Sequence, residues 1–265
     1  MAARPSIGPW RGRRATTRRL AWLAVAGLVI ALSPAPGGAA AETPIDTARA
    51  LLASYQEDGA RLEQARDILA KAAKEDPRPA TLTLLAKAWF LIGDVHARTD
   101  DERLDAYSQG RDAAQRAIAA APQSAEAHLY YAINLGRWAE TKGLLRSALA
   151  LSTVREEVDL VLRLDPRSVE GETLAGSLAA ALPGFLGGSA SGAEQHFRRA
   201  LALDPQRAGV RVELAQLYVK EKRYADARRE LDLALAEPTP SDLPYWTVRM
   251  LPRARALLAS IRGKS

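Results

Sequence analysis

The chain has 265 residues, 48% of them hydrophobic and 26% charged, with 18 Gly, 15 Pro and no Cys. It is long and apolar enough for a sizeable core, and the missing sulfur excludes a thiol enzyme, a disulfide scaffold, an iron–sulfur protein and a thiolate zinc site. The formal charge is +6, but six of the 37 basic residues fall in 1–41, which holds no acid, so 31 remain against 31 acidic residues in 42–265. A body that is neutral overall carries no net electrostatic footprint for nucleic acid.

The front segment has the order of a secretory signal. Arg4, Arg11, Arg13, Arg14, Arg18 and Arg19 precede the apolar run Leu20–Leu32, then comes a Ser-Pro-Ala-Pro-Gly-Gly break and Ala39-Ala40-Ala41. This order predicts a signal peptide over 1–41, cleaved before Glu42, and export to the periplasm or beyond. An apolar core of thirteen residues is short for a stable bilayer helix, so no membrane span is expected after cleavage. An uncleaved anchor and an Arg-rich organelle presequence are the alternatives, and Arg18-Arg19 fits a twin-arginine route loosely.

From residue 42 onward the chain repeats. Ala-rich stretches end at Asp76-Pro77, Ala121-Pro122, Asp165-Pro166, Asp204-Pro205 and Glu237-Pro238, at Pro-to-Pro intervals of 45, 44, 39 and 33 residues. Before three of these prolines stand Ala65, Leu69 and Ala72; Ala193, Phe197 and Ala200; and Ala227, Leu231 and Ala234. Positions i, i+4 and i+7 share one helix stripe, where small residues let a neighbour approach and the large one fills the gap. Each Pro then separates one helix from the next. Leu214-Ala215 with Tyr218, Ala175-Gly176 and Leu52-Ala53 supply the matching part of the preceding helices. Alternating β-branched stretches are missing, which leaves an all-α solenoid of about five degenerate helical hairpins over 42–265. The longer middle units, with extra residues at Gly93–Tyr107 and Ala139–Ser152, must extend helices or form loops. Tyr245–Ile261 reads as a C-terminal capping helix with Pro252 near a kink or late start.

On these residues the chain resembles the tetratricopeptide repeat family, most closely over Ala208–Pro238. A narrower resemblance rests on Tyr131-Ala132-Ile133-Asn134-Leu135-Gly136-Arg137-Trp138-Ala139-Glu140, Leu164-Asp165-Pro166 and Leu182-Pro183-Gly184-Phe185-Leu186-Gly187-Gly188. Residues of about 107–262 are similar to the T component associated with tripartite periplasmic (TRAP-type) transporters and to bacterial relatives of the regulator of microtubule dynamics family. Both groups are helical repeat proteins without a known catalytic centre. The transporter-linked group implies export and an encounter with a solute-binding protein. Its better-known members carry a lipid-anchoring Cys that this chain lacks.

Candidate chemistry is sparse. His96 precedes Asp100 and Asp101 in what reads as a solvated loop, while His128 and His196 lie in helices and read as packing residues. Glu156 and Glu157 diverge by about 100° on a helix, which makes a poor acid/base dyad. No nucleophile elbow, phosphate loop or His-Glu-x-x-His element occurs. Two stretches stand out for binding. In the helix after Ser124, Tyr131, Leu135 and Trp138 share a face expected in the core, while Tyr130, Asn134 and Arg137 share a stripe able to grip a small anion or peptide. In the Gly-rich loop Pro183–Gly192, Phe185 and Leu186 either pack into the gap between repeats or bind a partner. Trp89-Phe90 and Tyr245-Trp246 extend the set.

The candidate binding residues are therefore Tyr130, Asn134, Arg137, Trp138, Phe185 and Leu186, with no catalytic residue, metal or cofactor expected. The reading that follows is an exported, non-enzymatic protein-interaction adaptor, whose leading specific form is an accessory role beside a periplasmic solute-binding or transport system, with a periplasmic solute-binding protein as the candidate partner. Two alternatives stand beside it. A carrier of an apolar small molecule requires a closed apolar cavity of roughly several hundred Å³, and an envelope scaffold requires no ligand at all. Pairing of two stacks through their ends is neither forbidden nor required by a neutral body.

Overall fold

A computed structural model of the chain describes residues 43–264, without the side chains of 144–149. The expected signal segment and its cleavage point lie outside the described residues. The described chain forms five helical hairpins: α1 (Pro44–Leu52) with α2 (Ala60–Glu75), α3 (Pro79–Leu91) with α4 (Asp100–Ala120), α5 (Ala125–Lys142) with α6 (Leu144–Leu164), α7 (Val169–Ala181) with α8 (Ala190–Leu203), and α9 (Ala208–Lys220) with α10 (Tyr224–Ala236). A short α11 (Leu243–Tyr245), a π turn at Trp246–Met250 and α12 (Leu251–Ser260) close the stack. The expected helical solenoid and its capping helix are therefore present. The punctuating prolines Pro77, Pro122, Pro166 and Pro205 all sit between consecutive hairpins, and Pro238 follows the last one.

Helix starts follow from side-chain oxygens that satisfy otherwise orphaned backbone N–H groups. Ser124, Ser168 and Ser189 each accept the amide N–H three residues on, opening α5, α7 and α8. Thr99 opens α4 with a reciprocal capping box, in which Glu102 accepts the Arg98 N–H at 2.7 Å and the Thr99 N–H at 3.1 Å. Those backbone bonds hold the Glu102 carboxyl below its ordinary range.

The predicted stripes are the core. Ala193, Phe197 and Ala200 of α8, and Ala227, Leu231 and Ala234 of α10, are all fully enclosed. In α2 the stripe is Leu62, Ala65, Leu69 and Ala73, so the small residue in the last position is Ala73 rather than Ala72. Gly176 in α7 has a direct packing reason: a Cβ there would come within 2.7 Å of the Phe197 ring. The extra residues of the middle units lengthen helices, giving 21 residues in α4 and in α6, with the α5–α6 break at Gly143, whose φ of 95° is strained for any side chain.

The capping segment also touches the N-terminal half of the repeat domain. Tyr245 packs against both the N-terminal core and the C-terminal core, and its ring centroid lies 6.3 Å from that of Phe90. The last segment of the chain thus reaches back to the second hairpin.

Candidate functional site

The end of α3 and the start of the capping segment both leave ordinary α-helical geometry. After Leu91, α3 widens into a π turn at Ile92–His96, where the Ala97 N–H bonds the Ile92 carbonyl at 3.0 Å. Gly93 permits it, since a Cβ there would come within 2.5 Å of the Tyr107 ring. The second π turn precedes Pro252, which has no N–H to offer the Val248 carbonyl four residues back. The first turn carries Asp94 and the second carries Arg249.

Asp94 is the centre of a charged cluster. Its side chain is only 3% exposed, and it accepts the Tyr245 hydroxyl at 2.9 Å and Arg249 Nε at 3.1 Å. Arg137 of α5 approaches its other oxygen at 3.5 Å and bonds Glu140 at 3.2 Å. Burial would lower the Arg137 pKa, but Asp94 first, then Tyr245 and Glu140, outweigh it and raise it. Burial, with Asp94 adding to it, pushes the Tyr107 phenol up to about 12. Tyr55, in the turn after α1, is buried with its hydroxyl unpartnered among the described residues. Its pKa is raised by burial and by the nearby charge of Asp242.

In front of this cluster opens a groove of about 460 Å³, lined by Arg137, Tyr245, Val248, Arg249, Pro252, Arg253 and Ala256. Arg249, Arg253 and Ala256 are four and then three residues apart and so share one face of the capping segment. The buried carboxylate of Asp94 is not part of the lining, so the walls present guanidinium groups and aliphatic surface. Arg253 is held by Glu213 at 2.5 Å and by Gln216. Arg249 uses only Nε, and its two terminal nitrogens make no hydrogen bond among the described residues.

The residues chosen from the sequence do not form one site. Tyr130 and Asn134 are buried in the core rather than displayed on a polar stripe. The Asn134 amide nitrogen donates to the Ala86 carbonyl of α3 at 3.2 Å and to the Tyr130 carbonyl at 2.8 Å. The expected face assignment of α5 is therefore corrected: this helix is packed by α3, α4 and α6, so both of its faces enter the interior. Only Arg137 of that stripe reaches the groove. Trp138 is half-buried under the cations of Arg111 at 5.3 Å and Lys142 at 5.9 Å.

Phe185 and Leu186 lie elsewhere, on a turn that is pinned. Leu186 and Gly188 both donate to the Pro183 carbonyl at 2.9 Å, and Ser189 donates to the Ala179 carbonyl at 2.9 Å. Gly187 takes φ 80°, and a Cβ on Gly188 would overlap the Leu182 carbonyl. Of the two expectations for this loop, packing into the gap between repeats does not hold for Phe185, which is 87% exposed, while Leu186 is half-buried. Beside the turn is a second cavity of about 260 Å³, walled by Ala179, Ala180, Leu182, Leu217 and Lys220 among others.

The two helical histidines pack against neighbouring helices. His128 is buried, with Glu157 at 2.5 Å and the Pro122 carbonyl at 3.0 Å, so Glu157 belongs to a packing pair rather than to a solvated charged face. His196 meets Glu172 at 2.6 Å. Sequence reasoning missed Asp94, Val248, Arg249 and Arg253. The i, i+4 spacing of the last two was a usable signal, whereas nothing local marks Asp94 as buried.

Residues 45–180 match the family described as regulator of microtubule dynamics protein 1-3, and residues 186–249 match a tetratricopeptide repeat. Regulator of microtubule dynamics protein 3 of Rattus norvegicus is 26% identical over 171 residues, which cover 58% of this chain and 36% of that protein. The chain thus spans about a third of that relative's length. A tetratricopeptide-repeat protein of Thermus thermophilus has a similar structure, with a TM-score of 0.61 at 20% identity over 80% of this chain and 99% of that one. The pilF protein of Pseudomonas aeruginosa gives a TM-score of 0.49 at 19% identity over 82% and 88% of the two chains.

Proposed function

Because the chain belongs to the regulator of microtubule dynamics protein 1-3 family and continues into a tetratricopeptide repeat, we propose that it is a non-enzymatic adaptor that holds a partner protein in the groove between α5 and the capping segment. Stacked helix pairs suit such a role, because they build a rigid concave surface on which a few anchors supply the binding energy. The observation that carries the reading is the groove itself. It is open on one side, and three arginines and a tyrosine line it. A carrier of an apolar ligand needs an enclosed apolar wall instead. The exposed Phe185 offers a second contact on the same stack.

The signal-like order of residues 1–41 supports work in the bacterial envelope after export. A periplasmic solute-binding protein is the partner class to test first. Residues 42–265 are used as bait on envelope extract, beside a Val248→Glu variant, and captured proteins are identified by mass spectrometry. A solute-binding protein retained by the native chain and lost by the variant is the expected result. Capture of a small molecule with no protein would sink the adaptor reading.

A further inference from the structure

Phe185 is the most exposed large apolar side chain among the described residues, at 87% against 48% for Leu243, the next. Its turn has little freedom to fold it away. Leu186, Gly187, Gly188 and Ser189 all donate backbone bonds at 2.9 Å, and Gly187 lies so close to the Arg155 guanidinium that a Cβ there would come within 2.5 Å of it. A side chain held on a preset turn loses little freedom on association. On the same turn opens the recess of about 260 Å³, walled mainly by Ala179, Ala180, Leu182, Pro183, Ala190 and Leu217. Phe185 is not among its walls and does not fill it. An apolar cavity of roughly 150 Å³ already holds a benzene ring, so the recess has room for a phenyl group.

We propose that two copies of this chain pair about a two-fold axis at this patch, each placing its Phe185 in the recess of the other. A two-fold contact uses the same surface on both copies, so that surface must carry a knob and a hole, and both signs of charge. All are present here. Lys220 and Glu221 stand on the rim of the recess and are not paired with each other. Lys220 Nζ donates to the Ala180 carbonyl at 2.6 Å, which leaves two of its three N–H groups. The Glu221 carboxylate makes no hydrogen bond or ion pair among the described residues. Across the axis each Glu221 meets Lys220 of the second copy, so the patch is complementary to itself in shape and in charge. It shares no residue with the groove between α5 and the capping segment, and pairing therefore goes beyond the adaptor reading and is tested apart from it.

Sedimentation equilibrium of the native chain is expected to show a single monomer–dimer equilibrium in the micromolar range. Phe185→Ser removes the knob and should weaken pairing by at least about tenfold, as loss of a central aromatic anchor does. Ala190→Leu fills the recess and should weaken it as much. Mixing the two variants tests the geometry, because Ala190→Leu keeps Phe185 while Phe185→Ser keeps the recess, and together they restore one knob in one hole. An equimolar mixture is expected to form a heterodimer at concentrations where neither variant pairs with itself. Glu221→Lys alters an exposed side chain, sets like charges across the axis and should weaken pairing about fivefold at low salt. Helical circular dichroism in dilute solution checks that each variant folds, and if Ala190→Leu does not, Phe185→Ser and Glu221→Lys carry the test.

A native chain that stays monomeric into the high micromolar range overturns the proposal. So does association that Phe185→Ser leaves unchanged, or a mixture of folded Phe185→Ser and Ala190→Leu chains that stays monomeric. A mass that climbs past the dimer also overturns it, being the mark of an open head-to-tail chain.

Discussion

The Tyr245 hydroxyl donates to Asp94 Oδ2 at 2.9 Å across 151 residues of chain. A helical repeat stack needs contacts only between neighbouring units. This bond, together with Arg249 on the same oxygen, adds a contact between the second hairpin and the capping segment that the repeat architecture does not require. The groove opens beside this junction, between Arg137 of α5 and the capping segment.

Removing Asp94 should therefore loosen the cap and leave the individual hairpins intact. Asp94→Ala strips Tyr245 and Arg249 of their shared acceptor and should cost about 2–3 kcal/mol, the range for breaking a charged, largely buried network. Tyr245→Phe removes one neutral donor and should cost about 1 kcal/mol. Urea denaturation of both single variants and of the double variant gives the coupling between them, expected to be at least about 0.5 kcal/mol. Additive costs, or unchanged hydrogen exchange in α12, would show that the contact does not hold the ends together.

The two phenylalanines of the C-terminal half should behave oppositely. Phe197 is fully enclosed against Gly176, and Phe197→Ala should cost about 3–5 kcal/mol by leaving a cavity. Phe185→Ser alters a side chain that is almost wholly in solvent, and its cost should lie within about 0.5 kcal/mol. Thermal melts of the two variants settle the contrast. A large drop in Tm for Phe185→Ser would mean that the turn is packed in solution.

These two residues also show what the sequence makes legible. The Ala193, Phe197, Ala200 stripe is periodic, so its burial follows from helix geometry alone, and the same holds for α10. In α5 periodicity identifies only one of two buried faces, because a helix packed on several sides has little amphipathic contrast to read. Asp94 and Tyr245 carry no local pattern that could pair them, since the pairing depends on how far the stack curves. Phe185 escapes a sequence reading for another reason: its direction is set by backbone bonds to Pro183 and Ala179, which no residue type announces.

Asn134 offers a test of buried polarity. Its amide nitrogen ties α5 to α3 through the Ala86 carbonyl, while its oxygen has no partner among the described residues and rests against Gly110 of α4. Gly110→Ala would overlap this amide and should cost about 1–2 kcal/mol net, since overpacking outweighs the gain in helix propensity. Adding Asn134→Ala should recover part of that loss by making room. If the double variant is no more stable than the sum of the singles predicts, the two side chains do not press on each other.

The charged cluster at Glu194 predicts a pH dependence with a definite sign. Burial acts to raise the Glu194 pKa, but hydrogen bonds from Arg198, Tyr218 and Arg223 outweigh it and bring it down to about 2, from an ordinary 4.5. The folded state thus binds the proton more weakly than the unfolded chain does. Its contribution is complete above pH 4.5 and is lost as the pH falls from there towards 2. Arg198 and Arg223 are about half exposed, so screening limits the contribution to about 1 kcal/mol. Glu194→Gln should be less stable than the native chain by that amount at pH 7, and the gap should close steadily between pH 4.5 and 3. High salt should narrow the gap at pH 7 by screening the same exposed arginines. A gap that stays constant from pH 7 to pH 3 would mean that Glu194 stabilises the α8–α9 packing through its hydrogen bond to Tyr218, at 2.9 Å, rather than through its charge.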